Sequence, residues 1–458
     1  MAYFSRHIDE ELLQWKNDPD KKPLLVRGAR QVGKSTAIRE LGKSFKYYVE
    51  VNLEKQPLLA ELFTENIDVK LTCSKLSATL AIPIEAGNTL LFIDEIQVSK
   101  QAIMYLRYFK EEYPELHVVA AGSLLEFTLE ELSSFGVGRI RSLYMYPFSF
   151  DEFLVAQGLQ LQVDFKRKAT FHEPLPLPLH NSLCEQLRSF ILVGGMPAAV
   201  AEWVNHHDYL RCSRIHGDIV DTYMDDFSKY KRRTSPDLLR TVVQSVATQV
   251  GGKFVMSKAI PDVHSSSIKE ALRLLAMAGL IVPVRHTDGN GLPLGAEVNP
   301  SFTKYLFIDT GLLMNLLSMP FKEIMLATDI ELVNKGAMAE MLAGLELVKY
   351  ADCFMKSESY YWQQNSRTGN AEVDYLVSHH GHVLPIEVKA STKGSMQSLY
   401  LFMRKKHLTE AVRTSLENFA SFNYFDNEDQ GATRTIRVIP LYALSCLSLP
   451  TMNQTNFR

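Results

Sequence analysis

The sequence predicts an α/β chain, and three observations carry that expectation. A glycine-bearing loop, residues 28–35, joins the apolar run Leu24, Leu25, Val26 to a helical pattern that opens at Thr36. Short apolar runs ending in acids or hydroxyls recur through the first 150 residues, as buried parallel strands do. In the last third, three short runs with alternating apolar and polar residues are separated by turn sequences, the mark of a meander. At roughly 150 residues per domain, 458 residues suggest about three domains.

Composition narrows the classes. Hydrophobic residues are 46% and charged residues 22%, so large cores are available and wholesale disorder is excluded. A net charge of -3 excludes a chain coated in basic residues but leaves room for one basic face. The five cysteines, Cys73, Cys184, Cys212, Cys353 and Cys446, show no metal or redox spacing, which points to reduced thiols in the cytoplasm. The start carries acids where a signal peptide needs an apolar stretch. The longest apolar run, residues 274–284, is too short for a bilayer and contains Gly279 and Pro283, so no membrane is expected.

The first loop fits G-x-x-x-x-G-K-[ST] as Gly28, Gly33, Lys34 and Ser35, with Thr36 following. Glycines let backbone N–H groups curl around phosphate oxygens, and the helix N-terminus adds partial positive charge. Lys34 can reach the β- and γ-phosphates and Ser35 can ligate Mg²⁺; Arg30, inside the loop, counts with the nucleotide-binding positions. The run TLLFIDEIQ ends its strand at Asp94, expected in the Mg²⁺ shell, and Glu95, expected to polarise the attacking water. HVVAAGS ends at Ser123, a hydroxyl suited to sensing the γ-phosphate. YYVEVNL and RSLYMYPF complete a five-stranded sheet, with Arg139 and Arg141 just ahead of the last strand.

The pieces GARQVGKS, LLFIDEIQ, VVAAGS and GRIRSLYMYPFSFDEF resemble the AAA+ ATPases of the P-loop class, with their Walker A and Walker B motifs. The last piece looks like a bacterial and archaeal branch of them. The resemblance implies ATP and Mg²⁺ as ligands, hydrolase activity, a capacity to oligomerise, and Arg139 as the better arginine-finger candidate.

The middle is read in turn. HEPLPLPLHN, residues 172–181, has three prolines in five residues and reads as a stiff connector that cannot be helical. A helical lid follows through residue 229, broken at Gly194-Gly195-Met196-Pro197, a break also found after the nucleotide domain of the ATPases the chain resembles. Lys229, Lys231, Arg232 and Arg233 form a basic run whose default reading is a solvated turn. The stripe Ile268, Leu272, Leu275, an apolar strand and the turn Asp288-Gly289-Asn290-Gly291 suggest a winged helix. Its face offers only Lys269 and Arg273, a sparse set for DNA phosphates.

In the last segment, NKGAMAEMLAGLEL is apolar nearly all round and should be a buried helix, yet Glu340 sits in its middle beside Ala337, Ala343 and Gly344. A buried carboxylate needs a partner. Alternation in AEVDYLV sets Val373, Tyr375 and Val377 on one face and Asp374 on the other; in VLPIEVKAS it sets Glu387 and Lys389 together. His379, His380 and His382 lie in a turn and read as exposed. This constellation resembles the PD-(D/E)xK nuclease-like fold, in its resolvase-like branch. The resemblance implies Glu340, Asp374 and Glu387 as ligands of Mg²⁺ or Mn²⁺ and Lys389 as the residue that orients or activates water.

The expected division is an AAA+ ATPase domain at 1–171, a linker and helical lid at 172–235, a winged helix at 236–330 and a mixed-sheet nuclease-like domain at 331–458. The leading functional expectation is an ATP-driven machine acting on DNA. The alternative is a nucleotide-dependent switch that binds a protein partner, its nuclease-like domain being non-catalytic.

Overall fold

Five apolar runs of the first 150 residues become β1 (Leu24–Arg27), β2 (Tyr47–Asn52), β3 (Thr89–Asp94), β4 (His117–Ala121) and β5 (Arg141–Tyr144). They pair in parallel in the order β2-β3-β4-β1-β5. Every residue of β3 and β4 is buried, as in a parallel sheet covered on both faces. The amphipathic helices Val69–Leu80 and Lys100–Glu112 seal one face, packing Cys73, Leu76, Tyr105 and Phe109 over Val49, Val51, Leu91 and Ile93. Because all five strands run the same way, the loops after β1, β3 and β4 leave from one edge of the sheet.

This computed structural model describes residues 3–64, 68–132, 138–230, 233–261, 263–318, 335–364, 371–390 and 395–447. It divides into two compact units: one takes Met1–Pro147 with the short returns Met277–Leu280 and Cys353–Lys356, the other takes the remainder. No helix among the described residues is long and apolar enough to cross a membrane.

The second unit carries a mixed eight-stranded sheet: β6 (Ile281–Thr287), β7 (Val298–Phe307), β8 (Ser359–Gln363), β9 (Glu372–His379), β10 (His382–Val388), β11 (Glu410–Ser415), β12 (Ala420–Asp426) and β13 (Ala432–Pro440). The order is β12-β13-β11-β10-β9-β8-β6-β7. Helices Pro236–Thr248 and Ser265–Met277 precede the β6–β7 hairpin, and Ile268, Leu272 and Leu275 are buried as their spacing demands. The hairpin does not stand apart. β6 pairs in parallel with β8, so one sheet runs from the expected wing into the expected nuclease-like segment. The boundary expected at 330/331 lies outside the described residues, as do Lys231 and Arg232 of the basic run.

Three other readings differ from the structure. The proline-rich stretch is not wholly extended: the helix Leu177–Val193 begins inside it, with Pro178 in the first turn, where no backbone N–H is required. β11 and β12 lie between the E-x-K strand and the closing strand, β11 running parallel to both β10 and β13. And β9 is bulged. Tyr360 faces Leu376 while Trp362 faces Val373, so three steps on β9 match two on β8. Val373 and Leu376 both join the core under the helix Gln397–Lys405. Asp374 and Tyr375, the residues between them, both reach the helix Lys335–Lys349 instead of alternating.

Candidate functional site

The loop after β1 is built for close backbone approach. Gly28 has φ 140°, and a Cβ there would stand 2.1 Å from the carbonyl oxygen of Met145. Gly33, with φ 96°, turns the chain into the helix Lys34–Gly42. Lys34 is 7% exposed, and its ammonium donates to the carbonyls of Gly28 (2.9 Å) and Ala29 (2.7 Å). Burial pushes its pKa down to about 8, against the pull of Glu95 and Asp94. The Ser35 hydroxyl lies 3.1 Å from both carboxylate oxygens of Asp94, at the end of β3. Burial and the neighbouring Glu95 raise the Asp94 carboxyl. Arg30 is half-buried and Thr36 exposed.

Glu95 follows Asp94 in the left-handed region, φ 51°. Its carboxylate accepts from Gln97 Nε2 at 2.6 Å and from the Ser123 hydroxyl at 3.4 Å. Asn52, paired with Asp94 across β2 and β3, donates to the Asp94 carboxylate at 3.4 Å. The sequence reading missed Asn52 and Gln97. Asn52 ends a strand next to the Asp94 strand, a position that period and polarity could have marked. Gln97 carried no signal beyond its nearness to Glu95.

Arg139 forms an exposed ion pair with Glu111, at the end of the helix Lys100–Glu112, and Arg141 lies 3.8 Å from Asp18. The register pairs Leu24 with Arg141 and Arg27 with Tyr144. Both arginines therefore stand at the edge where the strands begin, opposite the edge that carries Gly28, Asp94 and Ser123.

In the second unit, the small residues beside Glu340 leave room on the helix, and the Glu340 carboxylate does not take it up. The Tyr375 ring does: a Cβ on Gly344 would stand 2.3 Å from the Tyr375 hydroxyl, which donates to the Glu340 carbonyl at 2.8 Å. The Glu340 carboxylate accepts instead from Lys304 of β7, at 2.7 Å; Lys304 also binds Glu372. Glu340, Glu372 and Asp374 offer oxygens that all lie within 4.8 Å of one another. Asp374 accepts from the Val388 backbone N–H at 2.8 Å, and Lys389 donates to Glu387 at 2.6 Å. So Glu387 and Lys389 meet each other, and the carboxylates gathered around Glu340 are Asp374 and Glu372. Burial raises the Glu387 carboxyl to about 8, with Asp374 adding to the rise and Lys389 opposing it. Lys304 and Glu372 were missed. Glu372 is two residues from Asp374, so strand alternation already set it on the same face; nothing local marked Lys304.

Residues 20–154 match the family described as AAA domain. The first unit thus carries a P-loop domain of AAA type. Residues 184–323 and 335–444 match two families described only as domains of unknown function, DUF8612 and DUF4143. No curated protein matches the chain. Among solved structures, the Walker-type ATPase PABY2304 of Pyrococcus abyssi is 16% identical with a TM-score of 0.45, over 69% of this chain and 96% of that one. The Aeropyrum pernix ORC1 protein in complex with DNA is 13% identical with a TM-score of 0.29, over 70% and 95%. Unliganded Pif1 from Bacteroides sp. is 13% identical with a TM-score of 0.21, over 37% and 50%. At these TM-scores the three likenesses carry no argument.

Proposed function

We propose that the first unit binds ATP with Mg²⁺ and hydrolyses it. The observation that carries this is the meeting of Ser35 and Asp94 at 3.1 Å beside a buried Lys34 whose hydrogen-bond partners among the described residues are carbonyls. A hydroxyl and a carboxylate are hard oxygen donors that fit Mg²⁺, and Ser35 and Asp94 would hold it. When bound, Mg²⁺ neutralises phosphate charge. Backbone N–H groups of residues 28–36 cradle the phosphates, and Lys34 turns from the carbonyls to the phosphate oxygens. Glu95 takes the proton of the attacking water as its oxygen bonds to the γ-phosphorus and ADP leaves. Ser123, already in reach of Glu95, reports the γ-phosphate. Arg139 stands at the far edge of its own sheet, so it serves as a finger only toward the nucleotide of a neighbouring copy. Lys34→Ala should lose tight ATP binding. Glu95→Gln should bind ATP and lose turnover by about 10²–10⁴-fold; turnover at the parent rate would remove Glu95 from the mechanism.

Two readings of the second unit remain from the sequence: DNA binding through the helices ahead of β6, with metal-dependent cleavage at Glu340, Asp374 and Glu387, or a nucleotide-dependent interaction with a protein partner. A specific observation weighs on the cleavage part of the first reading. Lys389 donates to Glu387, so the cation expected to orient water serves a carboxylate of this chain. A rise in ATP turnover on adding duplex DNA, or nicking with Mg²⁺ or Mn²⁺ that is lost in Asp374→Ala, would restore the DNA reading. The five cysteines are free, in keeping with a cytoplasmic protein.

A further inference from the structure

The cluster at Glu340 gathers three carboxyl groups, Glu340, Glu372 and Asp374, around one ammonium, that of Lys304. Glu387, next to the cluster, has its own ammonium in Lys389 and feels the charge of Asp374. Lys304 is 2% exposed, bonded to Glu340 at 2.7 Å and to Glu372, with the Tyr361 ring 4.9 Å from its nitrogen. It sits among the three carboxylates whose oxygens are close enough to share one cation. A second observation concerns the neighbouring Glu387. Glu387 is 5% exposed, and its Oε2 has no hydrogen-bond partner among the described residues. After burial, the charge it feels most is that of Asp374.

We propose that Lys304 is the resident cation of this cluster, and that its ammonium fills the place a hard divalent ion would take on Glu340, Glu372 and Asp374. An ammonium and a divalent ion repel when both must touch the same carboxylates. A divalent ion also needs oxygens at about 2.0–2.6 Å, closer than an N–H donor sits. The chain as it stands therefore binds Mg²⁺ or Mn²⁺ poorly here, and removing the ammonium opens the site, with Glu387 Oε2 as a further oxygen. The inference rests on the cluster's geometry, and its test reads neither ATP turnover nor DNA cleavage.

The test is Mn²⁺ binding followed by electron paramagnetic resonance on the full chain without nucleotide, in an Asp94→Asn background that removes the first unit's site. Lys304→Met should bind one more Mn²⁺ per chain than the parent, or bind it at least about tenfold tighter, the scale on which groups around a metal change its affinity. Adding Asp374→Asn should abolish that gain. Equal binding by parent and Lys304→Met, or a gain that survives Asp374→Asn, would overturn the proposal. Should Lys304→Met fail to fold, the protein with Lys304 intact decides: a Mn²⁺ titration unchanged by Glu372→Gln supports the proposal, and Mn²⁺ binding lost in Glu372→Gln overturns it.

Discussion

Lys34 and Lys304 are both buried lysines, one in each unit, and the two sites treat the ammonium in opposite ways. Lys34 donates to two neutral carbonyls, and burial depresses its pKa to about 8 although Glu95 and Asp94 pull the other way. Burial would depress Lys304 too, but Glu340 and Glu372 touch it directly and raise it instead. Folding brings Lys304 its anions. It leaves Lys34 bonded to neutral carbonyls, where the proposed polyphosphate would bring an anion into contact. A buried cation whose hydrogen bonds go to neutral carbonyls, with its carboxylates at a distance, reads as a binding site; one bonded to two carboxylates reads as architecture.

The largest effect expected from this contrast is on stability. Lys304→Met should destabilise the second unit by about 3–5 kcal/mol in urea unfolding with chelator present, because it strands buried carboxylates. Lys34→Met should change stability by no more than about 1 kcal/mol, since only neutral partners are lost. Equal losses in the two variants would break the comparison. Adding Glu340→Gln to Lys304→Met should recover part of the loss above pH 8, where Glu340 is ionised, by leaving one stranded charge fewer.

The next effect is on pH. Glu340 and Glu387 are both raised from 4.5 to about 8, burial being the first cause in each. The folded state then holds protons that the unfolded chain releases across that window, so stability should fall as pH rises from 4.5 to about 8. The slope is on the order of 1 kcal/mol per pH unit for each carboxyl, and Glu387→Gln should roughly halve the total. Unfolding midpoints of the two proteins across the window test this. A slope of opposite sign would mean the carboxylates are ionised and well paired when folded.

For Lys34 the sign concerns the ligand. Phosphate favours the ammonium, so the pKa rises from about 8 when ATP binds, and binding takes up a proton above that pH. Affinity should fall by up to about tenfold per pH unit above 8, with little change below. Isothermal titration at several pH values would show it, and a flat profile would mean Lys34 does not change its surroundings on binding. The smallest effect belongs to Arg139→Ala. Its pair with Glu111 is exposed, so stability should shift by less than about 0.5 kcal/mol. Turnover should fall only at protein concentrations where copies associate; a loss that persists on dilution would contradict action between copies.

The sequence made the first site legible because its chemistry is local. Gly28, Gly33, Lys34 and Ser35 lie within eight residues, and Asp94 and Glu95 end one apolar run, so motif and period located them together. The second site is assembled from β7, β9, β10 and a helix, and only the residues with strand or helix periodicity could be found. Strict alternation failed at Asp374 and Tyr375 because a bulge adds one residue opposite β8, and no composition marks that bulge. Lys304 was invisible for a plainer reason. The β6–β7 hairpin read as a separate wing, and only its parallel pairing with β8 brings that lysine to Glu340. β12 stayed hidden because it is an exposed edge strand whose residues do not alternate in burial.

The most direct measurement is a structure of the full chain with Mg²⁺ and a non-hydrolysable ATP analogue. The expected result has the Lys34 ammonium off the carbonyls of Gly28 and Ala29 and on the β- and γ-phosphate oxygens, the metal on Ser35, and Lys304 still bound to Glu340 and Glu372. Nucleotide bound elsewhere, with Lys34 unmoved, would contradict the account.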